Sequence, residues 1–189
     1  KMTAMPQRMV EQTGAYDGGI YNAISHGLVS GTRVASNLGW RAVEAITVGD
    51  QVLTFDNGMQ RVVEIRRQTL WVDATSVPSQ MWPVLIPAGA LGNRADMVML
   101  PEQGIMIESE AALDQHGDPF AVVPASAWTG VRGVKRQPPK QPLEIVTLFF
   151  AADQVIYTEG SLLSHCPRAH LSLNDMVSGA VQPYDVLSA

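Results

Sequence analysis

From Gly31 onward the chain runs in short apolar bursts cut by Gly, Pro and Asn, the pattern of strands and turns in an all-β fold. Val34 opens the first brief strand. The sharpest local signal spans Gln51 to Ile65. Asn57-Gly58 suits a tight turn because both residues tolerate positive φ, and β-branched and apolar residues flank it on each side. This predicts a hairpin whose second strand continues to Trp71, with Val63, Ile65, Thr69 and Trp71 on one buried face and Arg67 as its polar break. Val84-Leu85-Ile86, Met97 to Leu100 and Gly104 to Ile107 are bounded by Pro or Gly and cannot join into a long helix, so three more strands are expected. Ala121-Val122-Val123 adds another, and Pro124 to Trp128 reads as a helical turn with proline near its start. Leu143 to Phe150 and Gln154 to Thr158, rich in β-branched and aromatic residues, read as a second hairpin turning near Ala151-Ala152.

The remaining stretches read as connections. Residues 1–26, with Gly14, Gly18 and Gly19 interrupting any helical period, form an N-terminal arm ahead of a domain over residues 27–189. Arg132 to Lys140, the most basic and proline-bearing stretch, is expected to be an exposed loop. Beyond Gly160 the pattern loosens, and only Leu171 to Val177 suits a short helix.

Composition narrows the class. A chain of 189 residues suits one domain with one sizeable core. Apolar residues make up 46% and charged residues 16%, which excludes a disordered tail or a coiled coil. The net charge of −5 gives no positive field to attract nucleic acid or anionic lipid, and it suits a soluble monomer. No apolar run approaches the ~20 residues needed to span a bilayer, and Lys1 to Arg8 lack the apolar centre of a signal peptide. Cys166 is the single cysteine, so no internal disulfide can form.

Two segments carry a family resemblance. Ser30-Gly31-Thr32-Arg33-Val34-Ala35, followed by Gly39 to Thr54 with its Val48-Gly49-Asp50-Gln51-Val52 turn into a strand, resembles the Hint domain. This is the self-processing module shared by inteins and hedgehog proteins, here most similar to its bacterial group without a homing endonuclease. Weaker matches at Leu85 to Gly92, Met99 to Ile107 and Gln154 to Gly160 follow in the family's order, so the resemblance covers residues 27–160. It implies a pseudo-symmetric horseshoe of β-strands. It also implies a nucleophile at the first position of the domain, which attacks the preceding carbonyl, and a histidine that protonates the departing nitrogen.

On the family's spacing the nucleophile position is Gly27, the histidine position is Gly104, and a second histidine position is Asp153. None of the three carries the expected group. The resemblance therefore implies a domain that has lost self-cleavage, a structural or partner-binding module with no catalytic residues and no cofactor. The alternative is an active autoprocessing domain that cuts upstream of Gly27 by an N-to-O acyl shift, using Ser30, Thr32 and Asp153. A third reading places a ligand in the groove vacated by the imidazoles. The expected partner is an unidentified protein or host segment, and the family suggests a secreted or surface setting.

Other residues read more plainly. Ser30 is expected as a turn serine and His26 as a solvent-exposed histidine. His165-Cys166-Pro167-Arg168-Ala169-His170 matches no zinc spacing and is read as a loop without metal. The acidic stretch Glu108-Ser109-Glu110 with Asp114 and Asp118 lacks the spacing of a calcium loop, and His116 and Asp118 flank a turn. Trp82 and Trp128 would form a protein-binding patch if exposed together.

Overall fold

The computed structural model describes residues 26–70, 77–110, 113 and 117–168. The strands in chain order are β1 (Leu28–Val29), β2 (Arg33–Ser36), β3 (Gly39–Ala42), β4 (Gln51–Leu53), β5 (Met59–Arg61), β6 (Glu64–Leu70) and β7 (Val84–Ile86). They continue with β8 (Met97–Met99), β9 (Gly104–Glu108), β10 (Phe120–Pro124), β11 (Lys135–Arg136), β12 (Leu143–Phe149), β13 (Gln154–Thr158) and β14 (Leu162–Cys166). Short 3₁₀ turns at Val43–Ala45, Ser79–Met81 and Ala125–Trp128 complete the regular structure. The all-β expectation holds, and so does the helical turn after Pro124. Residues 1–25 of the expected arm, Trp71 and the helix over Leu171 to Val177 lie outside the described residues.

Two antiparallel sheets form the body. A six-stranded sheet runs β11-β7-β8-β1-β12-β6, and an eight-stranded sheet runs β10-β9-β14-β13-β2-β4-β5 with β3 beside β2. Each apolar burst has found its burial. One core cluster gathers Val34, Val52, Val146, Leu148, Phe150 and Ile156, and a second gathers Val84, Ile86, Met99, Ile105, Ala125 and Leu162.

Both expected hairpins take another form. The Asn57-Gly58 turn closes β4 on β5 with Leu53 opposite Met59, but the ladder stops at Arg61. Val62 is fully buried and donates its N–H to Asp50 O, whereas Val63 donates to Phe149 O. The chain changes sheets at this step, so β6 pairs with β12 from Glu64↔Phe149 to Leu70↔Leu143. Val63 ends up 40% exposed, and Leu70 is the buried member of β6. The second expected hairpin is likewise divided, since β12 lies in the six-stranded sheet while β13 pairs with β14 and β2. Both strands are apolar on two faces, which hides the sheet assignment from a period-two reading.

The segment after Gly160 is no loose tail. β14 lies inside the eight-stranded sheet between β9 and β13, with Ser164 opposite Ile105. Within the basic stretch, Lys135 and Arg136 pair with β7, and Val134 is buried.

Candidate functional site

Leu28 pairs with Val146 of β12 and with Met99 of β8, and this seats the preceding peptide group against the middle of β12. The His26–Gly27 peptide is held at both ends. His26 O accepts a hydrogen bond from Thr147 Oγ1 at 2.8 Å, and Gly27 N–H donates to Gln103 Oε1 at 2.9 Å. Gln103 and Thr147 are buried, and the Gly27–Gln103 bond is shielded from bulk water. Gln103 Nε2 donates to His165 O at 2.8 Å and to Gly104 O at 3.0 Å, which fixes its carboxamide with the oxygen toward Gly27.

Gly27 has φ +145°, a backbone conformation that side chains rarely adopt. A Cβ built there would lie 2.6 Å from both Ile145 Cγ2 and Thr147 Oγ1. The strand that receives the peptide thus occupies the space a nucleophilic side chain would need. The side chain that reaches the Gly27 amide is that of Gln103, the residue before the Gly104 expected in the histidine position. A Cβ at Gly104 would lie 2.5 Å from Val122 Cγ1 and 3.2 Å from His165 Cβ, so glycine there makes room for His165.

His165 is the group that sequence spacing missed at this site. Read as a loop histidine, it sits buried on β14, with Nε2 3.2 Å from Asp153 Oδ2. Asp153 Oδ1 accepts the Arg168 N–H at 2.8 Å. Two apolar neighbours per polar residue, Leu162-Leu163 ahead and Cys166-Pro167 behind, were the only signal of a strand here. His26, expected in solvent, is half-buried with its Nδ1 enclosed. Its pKa lies below the usual 6.5, first through loss of hydration on burial and then through the nearby His165, with Asp153 acting in the opposite direction.

Cys166 is also part of this region. It lies at the far end of the sequence, yet the sheet returns it to the wall shared by Gly27, Gln103, Thr147 and His165. Its thiol is fully enclosed in the first core, and burial pushes its pKa up to about 12, with the Asp153 charge adding to the effect. The cavity between these groups measures about 10 Å³, no more than one water.

Ser30 and Thr32 are placed elsewhere. Both line a separate cleft of about 240 Å³ with Leu85, Asp96, Val98 and Glu159. The Ser30 hydroxyl hydrogen-bonds Glu44, whose Oε1 also takes the Gly31 N–H at 2.7 Å. Thr32 is buried, and its backbone accepts the Val43 N–H. Of Ser30, Thr32 and Asp153, only Asp153 joins the group around the His26–Gly27 peptide.

Among the described residues no cluster of three His, Cys, Asp or Glu side chains could hold a metal, and no helix is long and apolar enough to cross a membrane. Asp114, His116 and His170 lie outside those residues. Asp118 caps its turn by accepting the Phe120 N–H at 2.9 Å. Trp82 and Trp128 are both half-buried, and Trp128 packs on the second core, so they form no common exposed patch.

Two antiparallel sheets closed around a peptide bond of their own chain, at the start of the first strand, define the fold and its candidate site. A family model for the Hint domain matches residues 26–164, and the chain belongs to that family. No curated protein matches it. Among solved structures it is similar to a bacterial intein-like domain from Clostridium thermocellum, at 13% identity and a TM-score of 0.51, with 74% of this chain and 98% of that chain covered. It is also similar to a splice-inactive variant of the AceL NrdHF class 3 split intein, at 15% identity and a TM-score of 0.48, covering 76% and 99%. The gp41-1 intein aligns at 11% identity and a TM-score of 0.44, covering 74% and 98%. The first of these similarities shows that the two sheets are the Hint fold.

Proposed function

We propose that this Hint domain keeps its upstream junction intact and serves as a non-catalytic structural or partner-binding module. The observation that carries this reading is the packing at Gly27, where the chain offers no nucleophile and β12 occupies the volume one would fill. An acyl shift also needs a proton for the departing nitrogen. Gln103 offers that nitrogen an acceptor oxygen, and both of its amide hydrogens are engaged by carbonyls. The Cys166 thiol, at a pKa of about 12, holds a negligible thiolate fraction at neutral pH. Self-cleavage through Ser30 draws no support from its surroundings, since its hydroxyl is engaged with Glu44, a carboxylate whose pKa is lowered. Burial opposes that lowering, and the hydrogen bonds from Gly31 and Ser30 outweigh it.

Intact-mass measurement of the chain, fused behind a reporter protein and incubated with and without hydroxylamine or dithiothreitol, tests the reading. A single uncut mass is expected under all conditions. A fragment ending between Ser25 and Ser30 would overturn it in favour of autoprocessing.

A further inference from the structure

The His26–Gly27 peptide is gripped at its carbonyl and its amide, yet the side chain next to that grip is poorly provided for. His26 Nδ1 is enclosed and has no hydrogen-bond partner among the described residues. A neutral imidazole tolerates this, because one ring nitrogen carries no hydrogen. An imidazolium carries a hydrogen on both nitrogens and would place a charged N–H at a point where nothing accepts it, the costliest kind of buried polar group.

The surroundings do not relieve that charge. From β14, His165 presents a second imidazole to His26. From the corner ahead of β13, Asp153 is the one anion that favours the charged ring, but its oxygens already take His165 Nε2 and the Arg168 N–H. Gln103 ahead of β9 and Thr147 on β12 are uncharged and committed to the peptide. Cys166 on β14 stays a neutral thiol. Burial and His165 together outweigh Asp153, and the His26 pKa is lowered.

We propose that His26 is a proton-operated latch on the upstream junction: neutral, it stays beside His165 while Gln103 and Thr147 hold the peptide, and charged, it leaves and frees both hydrogen bonds. This rests on the reading that the junction is held rather than cut. The fold would then let go of its upstream segment reversibly on mild acidification, with no bond broken.

Hydrogen exchange of the Gly27 amide, expressed as a protection factor over its intrinsic rate from about pH 8 to about pH 5, tests the latch. Protection is expected to be constant above about pH 6.5 and to fall below it, by at most tenfold per pH unit as the open form takes up one proton. The core amide of Ile156 stays more protected than Gly27 at every pH, because it opens only with the whole fold. His26→Asn and His26→Gln, which cannot charge, abolish the fall, while Gln103→Ala lowers protection at every pH. Protection that stays flat to pH 5, a fall that survives in both His26 variants, or a Gly27 protection equal to that of Ile156 at every pH, which would mean exposure through global unfolding alone, would overturn the proposal. Intact mass followed in the same samples separates this from the functional reading, because only a cut junction defeats the latter.

Discussion

Gly27 and Gly58 show how differently one residue type acts in this chain. Gly58, at φ +64° in the tight turn, has nothing within 4 Å of an added Cβ, so Gly58→Ala meets only the left-handed backbone penalty. A loss of about 1 kcal/mol is expected in urea unfolding. Gly27→Ser meets both an unfavourable φ and two contacts at 2.6 Å, so a loss of roughly 2–4 kcal/mol is expected in the same assay, without cleavage by mass. Gln103→Ala would strip three hydrogen bonds from enclosed backbone groups, and about 2–3 kcal/mol is expected to be lost. Cys166 is expected to resist iodoacetamide in the native protein and to react fully in denaturant, as quantitative thiol labelling would read. Only part of this was legible in the sequence. Spacing drew attention to Gly27 and Asp153 but not to Gln103, whose side chain reaches the Gly27 amide from the residue before β9.

At the scale of elements, the tight turn at Asn57-Gly58 and the short strands bounded by Pro or Gly could be read directly, because each depends on local backbone preference. Pairing could not. β12 and β13 are close in sequence and equally apolar, yet a corner at Phe150 to Asp153 sends them into different sheets. β14 looked like a loose tail because Ser164 and His165 interrupt its apolar run, whereas each has a polar partner within the fold. Ser164 Oγ lies 2.9 Å from Thr158 Oγ1, and His165 bonds Asp153. A polar pair of this kind is invisible until its partner strand is known.

For the whole molecule, acid is the condition that tests the electrostatics. The folded pKa of His26 is depressed below its unfolded value of 6.5, so on acidification the unfolded chain takes up the proton first. Stability is therefore expected to be level above about pH 6.5 and to fall from there toward the folded pKa. Glu44 behaves in the same direction lower down, its contribution being present above 4.5 and lost as pH drops through its depressed folded value. Urea midpoints across pH would show two successive declines, and His26→Asn should remove the upper one.

By itself the sequence determined an all-β chain with one tight hairpin and a glycine at the start of the domain, because local φ preference and the spacing of apolar residues are written in consecutive positions. It also determined the Hint resemblance over residues 27–160. Tertiary structure alone decided that Gln103 and Thr147 grip the His26–Gly27 peptide, and that His165 and Cys166 return from β14 to its side. Gln103 and Thr147 lie 76 and 121 positions from the groups they bond, and only the closing of two sheets onto one strand brings them within hydrogen-bond reach.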